Sequence, residues 1–194
     1  MNKHLVSAFF LLAATMVWGA QNPSEPIKID PSVSKLSELL STKTGKKFFI
    51  GTVVNASESG DSAIVGYTRI SRKNKAPIVC DPTPSLIAKR SLMDIFADRK
   101  INTNDPSSAN FMVDVTILEF KIIEESKFLH QIMKSVVRLD VKVTDPYDAS
   151  KFHKFRIESA GEQTAFDTTK YAQGVMKQAL ESAIVELLKS LDGL

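Results

Sequence analysis

Residues 111–122 read FMVDVTILEFKI, and this stretch decides the fold. In its first half every second residue is apolar: Phe111, Val113, Val115 and Ile117. This alternation predicts a strand with one buried face and one wet face. In the second half the apolar positions shift to Leu118, Phe120 and Ile122. A period of two can change face only through an irregularity, so we predict a β-bulge or a strong twist near residues 117–118.

Two more strands follow at once. The first has apolar residues on one face, Met133, Val137, Leu139, Val141 and Val143, and it breaks at Asp145-Pro146. A further strand over 152–159 buries Phe155 and Ile157 between charged neighbours. The three strands together are typical of an antiparallel meander.

The stretches before and after the meander complete the order of elements. Residues 47–54 form an apolar run that predicts a buried strand, and residues 63–70 a second, short one. A helix is expected from Pro84, with Thr83 as its cap, to Lys100, and a longer one after Asp167. The predicted fold class is therefore α+β, with the order β-β-α-β-β-β-α. A mainly antiparallel sheet of about five strands would carry both helices on one face.

The N-terminus has the layout of a secretory signal. Lys3 and His4 precede the uncharged apolar run Leu5–Val17, which is shorter than the roughly 20 residues of a membrane span. We expect residues 1–20 to be a signal peptide cleaved after Gly19 or Ala20. Residues 21–45 are expected to be an unstructured leader, with a short helix over 33–44, and residues 46–194 a single domain. The protein would be periplasmic or secreted.

Charge and cysteine content restrict the class of protein. Without residues 1–20 the chain has 24 basic and 22 acidic residues, a balance that does not indicate a nucleic-acid binder. Cys80 is the only cysteine, so an internal disulfide and a multi-cysteine metal site are excluded. Cys80 is interpreted as a buried small residue, with an intermolecular bridge as the alternative.

The sequence offers few groups for catalysis. Of three histidines, His4 lies in the signal, and neither His130 nor His153 has a second ligand at metal-binding spacing. Glu124-Glu125 is the adjacent acidic pair and is interpreted as two solvated carboxylates at a hairpin tip. We therefore expect neither an enzyme nor a cofactor. Convergence of these histidines and glutamates in one cleft would argue the opposite.

Basic residues are concentrated around the first two predicted strands. The candidate binding residues are Lys47, Arg69, Arg72, Lys73 and Lys75. Anionic lipid, lipopolysaccharide or an acidic protein would fit them as partners. The alternative is a set of solvated strand ends.

Four stretches resemble the YajG-like group of envelope lipoproteins and, more distantly, auxiliary lipoproteins of ABC-transport and lipopolysaccharide-assembly systems. They are Phe49–Asn55, Pro84–Phe96, Ala109–Val115 and Tyr171–Leu191, and the resemblance spans residues 47–192. It implies a small envelope protein and carries over no catalytic residue. This chain has no cysteine at the first mature position, the residue on which such proteins are lipidated, and this implies a soluble protein.

The leading functional hypothesis is a non-catalytic periplasmic accessory protein that docks on a membrane complex or another envelope protein through a sheet face or edge. One alternative is a carrier or sensor of a lipid or other amphiphile, held between helices and sheet, which requires an enlarged apolar cavity. The other alternative is an unrecognised enzyme with an active site assembled from scattered residues.

Overall fold

The computed structural model describes residues 26–36, 45–57, 63–69, 74–126, 131–165 and 168–194. The signal region and residues 37–44 of the expected short helix lie outside these ranges. The strands of the described part are β1 (Ile27–Ile29), β2 (Phe48–Asn55), β3 (Ile64–Arg69), β4 (Lys75–Cys80), β5 (Phe111–Ser126), β6 (Gln131–Asp145) and β7 (Asp148–Ala165). The helices are α1 (Pro84–Asp98), α2 (Thr168–Asp192) and a short 3-10 helix (Pro106–Ser108).

The predicted meander is confirmed. β5, β6 and β7 have 16, 15 and 18 residues and pair antiparallel in sequence order. Their register places Asp114 opposite Lys142, and Lys142 opposite Lys154. These three strands form the largest part of the sheet and set the orientation of its faces.

The predicted irregularity in β5 is also confirmed. The pairing of β5 with β6 shifts between Ile117 and Glu119, which leaves Leu118 as the extra residue of a β-bulge. Ile117 before the bulge and Phe120 after it are both buried. The bulge therefore keeps the apolar residues of both halves of β5 on the same face.

The other edge of β5 has two partners in succession, and both run parallel to it. β2 pairs with the first half, Phe48 opposite Phe111, and β3 reaches the second half, Gly66 opposite Ile122. β3 forms an antiparallel hairpin with β4, and β1 adds parallel to β4. The sheet order is β1-β4-β3-β5-β6-β7, with β2 beside β5.

The predicted sheet of about five mainly antiparallel strands is therefore wrong in count and type, because the sheet has seven described strands and is mixed. β4 and β1 are the additional strands. β4 contains Pro77, which cannot donate a backbone hydrogen bond. A proline within an apolar run argues against a strand when the sequence is considered alone. The proline is tolerated here because β1 pairs only with Ile78–Cys80, beyond it.

The N-terminal stretch differs from the expected unstructured leader. Residues 27–29 form β1, and Ile29 and Val33 are buried in the core. The Val33 N–H donates a hydrogen bond of 2.9 Å to Ser91 Oγ on α1. Residues 26–36 therefore belong to the folded domain, and Val33–Leu36 are not helical.

Both helices bury their apolar stripes in one continuous core with one face of the sheet, the inner face. The predicted stripe of α2 is confirmed by its buried members: Met176, Leu180, Ala183, Ile184, Leu187 and Leu191. α1 contributes Ile87, Leu92 and Phe96. The opposite face of the sheet, the outer face, carries no helix among the described elements.

Candidate binding surfaces

The outer face is polar, and several of its charges are paired across the strands. Arg156 donates to Asp140 through Nε at 2.7 Å and Nη2 at 2.9 Å. Arg138 donates to Glu158 through Nε at 3.1 Å and Nη2 at 3.0 Å. The Arg156 hydrogen bonds lower the pKa of Asp140, and the Arg138 hydrogen bonds lower the pKa of Glu158. Both carboxylates are therefore ionised at neutral pH and held in fixed positions.

Exposed apolar side chains lie among these pairs. Phe152 is 47% exposed, and the ammonium groups of Lys142 and Lys154 lie 5.2 and 5.4 Å from its ring centroid. Val54 and Ile123 are also exposed on this face. A groove of about 540 Å³ is lined here by Asp114, Thr116, Asp140, Lys142, Lys154 and Arg156. An aromatic ring, aliphatic groups and neutralised charges together are typical of a protein-binding surface.

A second groove, of about 490 Å³, lies at the bulge of β5. It is lined by β3 residues Ile64–Tyr67 and by Leu118, Glu119, Lys121 and Arg138. Glu119 contacts Lys121 and lies 3.2 Å from Arg138 Nη1. The bulge thus opens the surface where β2 ends and β3 begins, and its charges form an ion-pair cluster.

The described members of the predicted basic group do not form one patch. Lys47 precedes β2 at the Phe111 end of β5, whereas Arg69 lies beyond the Ile122 end and opposite Lys75. At about 3.3 Å per residue these two ends are roughly 35 Å apart. Arg72 and Lys73 lie outside the described residues. A single anion site that includes Lys47 and Arg69 is therefore incompatible with the sheet register.

The described candidates for catalysis are also far apart. His153 lies opposite Val143 on β6, and Glu124 opposite Met133, a separation of roughly 33 Å along the strand. His130 lies outside the described residues. Within the described ranges, no group of three histidine, cysteine, aspartate or glutamate side chains could hold a metal ion.

The acidic pair near the end of β5 has a structural role that the sequence did not indicate. Glu124 accepts hydrogen bonds from the Thr68 hydroxyl and, at 2.9 Å, from the Arg69 N–H. Glu125 binds Lys134 at 2.8 Å. The expected pair of solvated carboxylates is therefore wrong, because Glu124 joins β3 to β5 and Glu125 joins β5 to β6.

Cys80 is buried, as predicted, at the end of β4. Burial raises the pKa of its thiol to about 12, with a smaller contribution from Asp30. Because the thiolate is the reactive form, native Cys80 is expected to react with a disulfide reagent at least about 100-fold more slowly than in the guanidinium-unfolded chain. The coloured thiolate that the reagent releases measures the reaction rate of the native and of the unfolded protein. Equal rates would contradict the burial of Cys80.

Comparison with known proteins adds information on the fold. No protein-family model matches the sequence. No curated protein matches it either. Among solved structures, protein XCC0632 from Xanthomonas campestris, assigned to family DUF330, is similar at 12% identity and a TM-score of 0.58, over 88% of this chain and 97% of that one. The two proteins share a fold.

Two other solved structures show a weaker likeness. A minor lipoprotein from Acinetobacter baumannii is 9% identical with a TM-score of 0.43, over 76% of this chain and 93% of that one. The hypothetical protein CT253 from Chlamydia trachomatis is 12% identical with a TM-score of 0.43, over 77% and 97%. Within the described residues, neither helix has the length and apolarity needed to cross a membrane.

Proposed function

We propose that this protein is a non-catalytic accessory protein of the bacterial cell envelope that binds a protein partner through the outer face of its sheet. The main support is the outer face itself, where Phe152 and Val54 are exposed beside charges that already neutralise one another. A protein surface can cover such a face without leaving many unpaired buried charges.

The charge arrangement favours a protein over an anionic membrane. Arg138 and Arg156 are bound to carboxylates, and Lys142 and Lys154 share the ring of Phe152. A membrane surface is recognised by clusters of basic residues that attract lipid phosphates together. Of the described basic residues proposed for such a role, Arg69 and Lys75 lie opposite each other near one end of β5, whereas Lys47 lies at the other end.

The packing of α2 is unfavourable for a carrier of amphiphiles. The Ser135 hydroxyl donates to the Val175 carbonyl at 2.7 Å, and the Ser159 hydroxyl to the Ala179 carbonyl at 2.6 Å. These bonds hold the helix backbone directly against β6 and β7. A lipid chain between them would have to displace the helix.

The cellular location is part of this proposal. The basic start and the uncharged run Leu5–Val17 support export, and the YajG-like resemblance supports a role in the envelope. The mass of the protein recovered from its host tests export directly, because cleavage after Gly19 or Ala20 gives a defined N-terminus.

Site-specific photo-crosslinking in the native host tests the docking surface. A photoreactive amino acid is placed at Val54 or Phe152 on the outer face, and at Leu86, an exposed residue of α1, as the matched control. We expect the two outer-face positions to capture the same envelope protein and Leu86 not to capture it. Capture of lipid alone, or equal capture of that protein from Leu86, would contradict the proposal.

A further inference from the structure

β7 forms one end of the sheet and has an open edge. It pairs with β6 from Asp148 to Ala165, and no other described strand pairs with it. Most of its residues are exposed. An open edge of this length can bind another strand through its unpaired backbone N–H and C=O groups.

From Lys151 to Glu162 the charges of β7 divide at Ile157, and the acidic Asp148 at the start of the strand lies outside this pattern. Lys154 and Arg156 precede it on the outer face, and Glu158 and Glu162 follow it on the same face. A strand with this distribution is complementary to a second copy that runs antiparallel to it. A parallel copy in register would instead place like charges opposite each other.

Two antiparallel copies paired about Ile157 bring residues at equal distances before and after Ile157 face to face. Arg156 of each copy then lies opposite Glu158 of the other, and Lys154 opposite Ala160. Pairing about Glu158 would oppose the two Glu158 residues, and pairing about Arg156 would oppose the two Arg156 residues. The charges thus favour the register centred on Ile157 over the two adjacent ones, centred on Arg156 and Glu158.

Existing ion pairs extend this pattern across the contact. Within one copy the outer-face row Glu119, Arg138, Glu158 alternates in sign. In the dimer, Glu158 at the end of this row lies opposite Arg156 of the second copy, which is bound to Asp140 of that copy. The alternation of sign therefore continues across the contact. Arg156 uses Nε and Nη2 for Asp140, and its guanidinium has further N–H groups for a second carboxylate.

The inner side of the same edge offers space for the second strand. A polar groove of about 570 Å³ lies between β7 and α2, lined by residues that include Glu158, Ser159, Gln178, Glu181, Ser182 and Glu186. In the register centred on Ile157, Phe155 of the second copy lies opposite Ser159, and His153 opposite Gly161. Phe155, half-buried in the single chain, would gain cover there.

We propose that two copies of this chain form a homodimer by antiparallel pairing of their β7 strands about Ile157, which joins the two sheets into one. The contact uses the edge of β7 and is independent of the partner proposed for the outer face. It is an isologous interface, in which each contact occurs twice about a two-fold axis.

Sedimentation analysis of the mature chain, from about 1 to about 100 µM, tests the dimer and its chemistry. Arg156→Glu and Glu158→Arg each place like charges opposite each other twice, so each is expected to weaken the dimer about tenfold or more. An equimolar mixture of the two variants restores opposite charges at both positions and should recover the dimer. Recovery of the dimer in the mixture would show that the single variants lost this contact and not their fold. Thermal unfolding of each variant checks the fold directly.

Cysteine crosslinking tests the register. Lys154→Cys and Ala160→Cys place the two thiols on directly opposite residues only when the variants are mixed. In either variant alone the thiols are roughly 20 Å apart. We expect crosslinks in the mixture and not in the single variants, with Lys89→Cys plus Ala160→Cys as the control for random collision. Three results would overturn the proposal. They are a monomer at every concentration, a dimer whose affinity is unchanged by both charge reversals, and crosslinking no stronger than in the control.

Discussion

Phe48→Ala is expected to lower the free energy of unfolding by about 3–5 kcal/mol. Phe48 is 0% exposed, and its ring packs edge-on against Phe96 at 6.0 Å and stacks on Phe111 at 5.8 Å between centroids. Its removal leaves a cavity where α1, β2 and β5 meet. Since a domain of this kind is stabilised by only about 5–15 kcal/mol, the loss should be large in urea denaturation.

Phe152→Ala is the matched control, because it removes the same side chain from the exposed outer face. We expect its effect on unfolding to stay below about 1 kcal/mol. Equal losses for the two variants would mean that Phe48 is not a core residue.

Gly161→Ala is expected to destabilise the protein by about 2–3 kcal/mol. A Cβ atom at this position on β7 would lie 2.5 Å from the Val175 carbonyl oxygen and 3.0 Å from Ser135 Oγ. The helix would have to move away from the sheet and weaken the Ser135 and Ser159 hydrogen bonds that hold it. The midpoint of urea unfolding measures the change.

Gly174→Ala provides the comparison on the helix itself. The nearest atom to a Cβ there is Gln163 Oε1 at 3.3 Å, the end of a flexible side chain. Alanine is favoured over glycine in a helix by about 0.5–1 kcal/mol, so this variant should be neutral or more stable. A stabilising Gly161→Ala would show that α2 does not lie against β7 as described.

The meander could be predicted because its strands are long and alternate cleanly. In β5 the alternation of apolar residues shifts by one position at Leu118, and this shift locates the bulge. An extra residue in the strand is needed to keep the apolar residues before and after the shift on the same face. The stripe of α2 is equally clear, with apolar residues at helical spacing over 25 residues. Local pattern and tertiary structure agree in these elements.

The short strands could not be predicted in the same way. β1 has three residues, too few for a periodic pattern, and β4 contains a proline. β1 and β4 form because neighbouring strands supply their hydrogen-bond partners. The spacing of apolar residues within a short segment gives no information on such partners. The parallel pairing of β2 and β3 with β5 is likewise a long-range feature.

The candidate surfaces show the same limit. Sequence spacing grouped Lys47 with Arg69 because both flank early strands, but the register of β5 separates them. Conversely, Arg138 and Asp140 on one strand and Arg156 and Glu158 on the next were visible as outward charges. Both strands have the basic residue two positions before the acidic one. Because the strands run antiparallel, this shared order places unlike charges opposite each other, and it is the signal that would have predicted the two bidentate pairs.

The first and last described elements of the chain touch, since β1 contacts α2. Folding therefore cannot be completed until the 25 residues of α2 are available to pack on the sheet. A chain terminated before α2 would leave the apolar sides of β6 and β7 in water, where they favour aggregation. Premature stop codons before Thr168 should accordingly yield insoluble fragments rather than partly active protein.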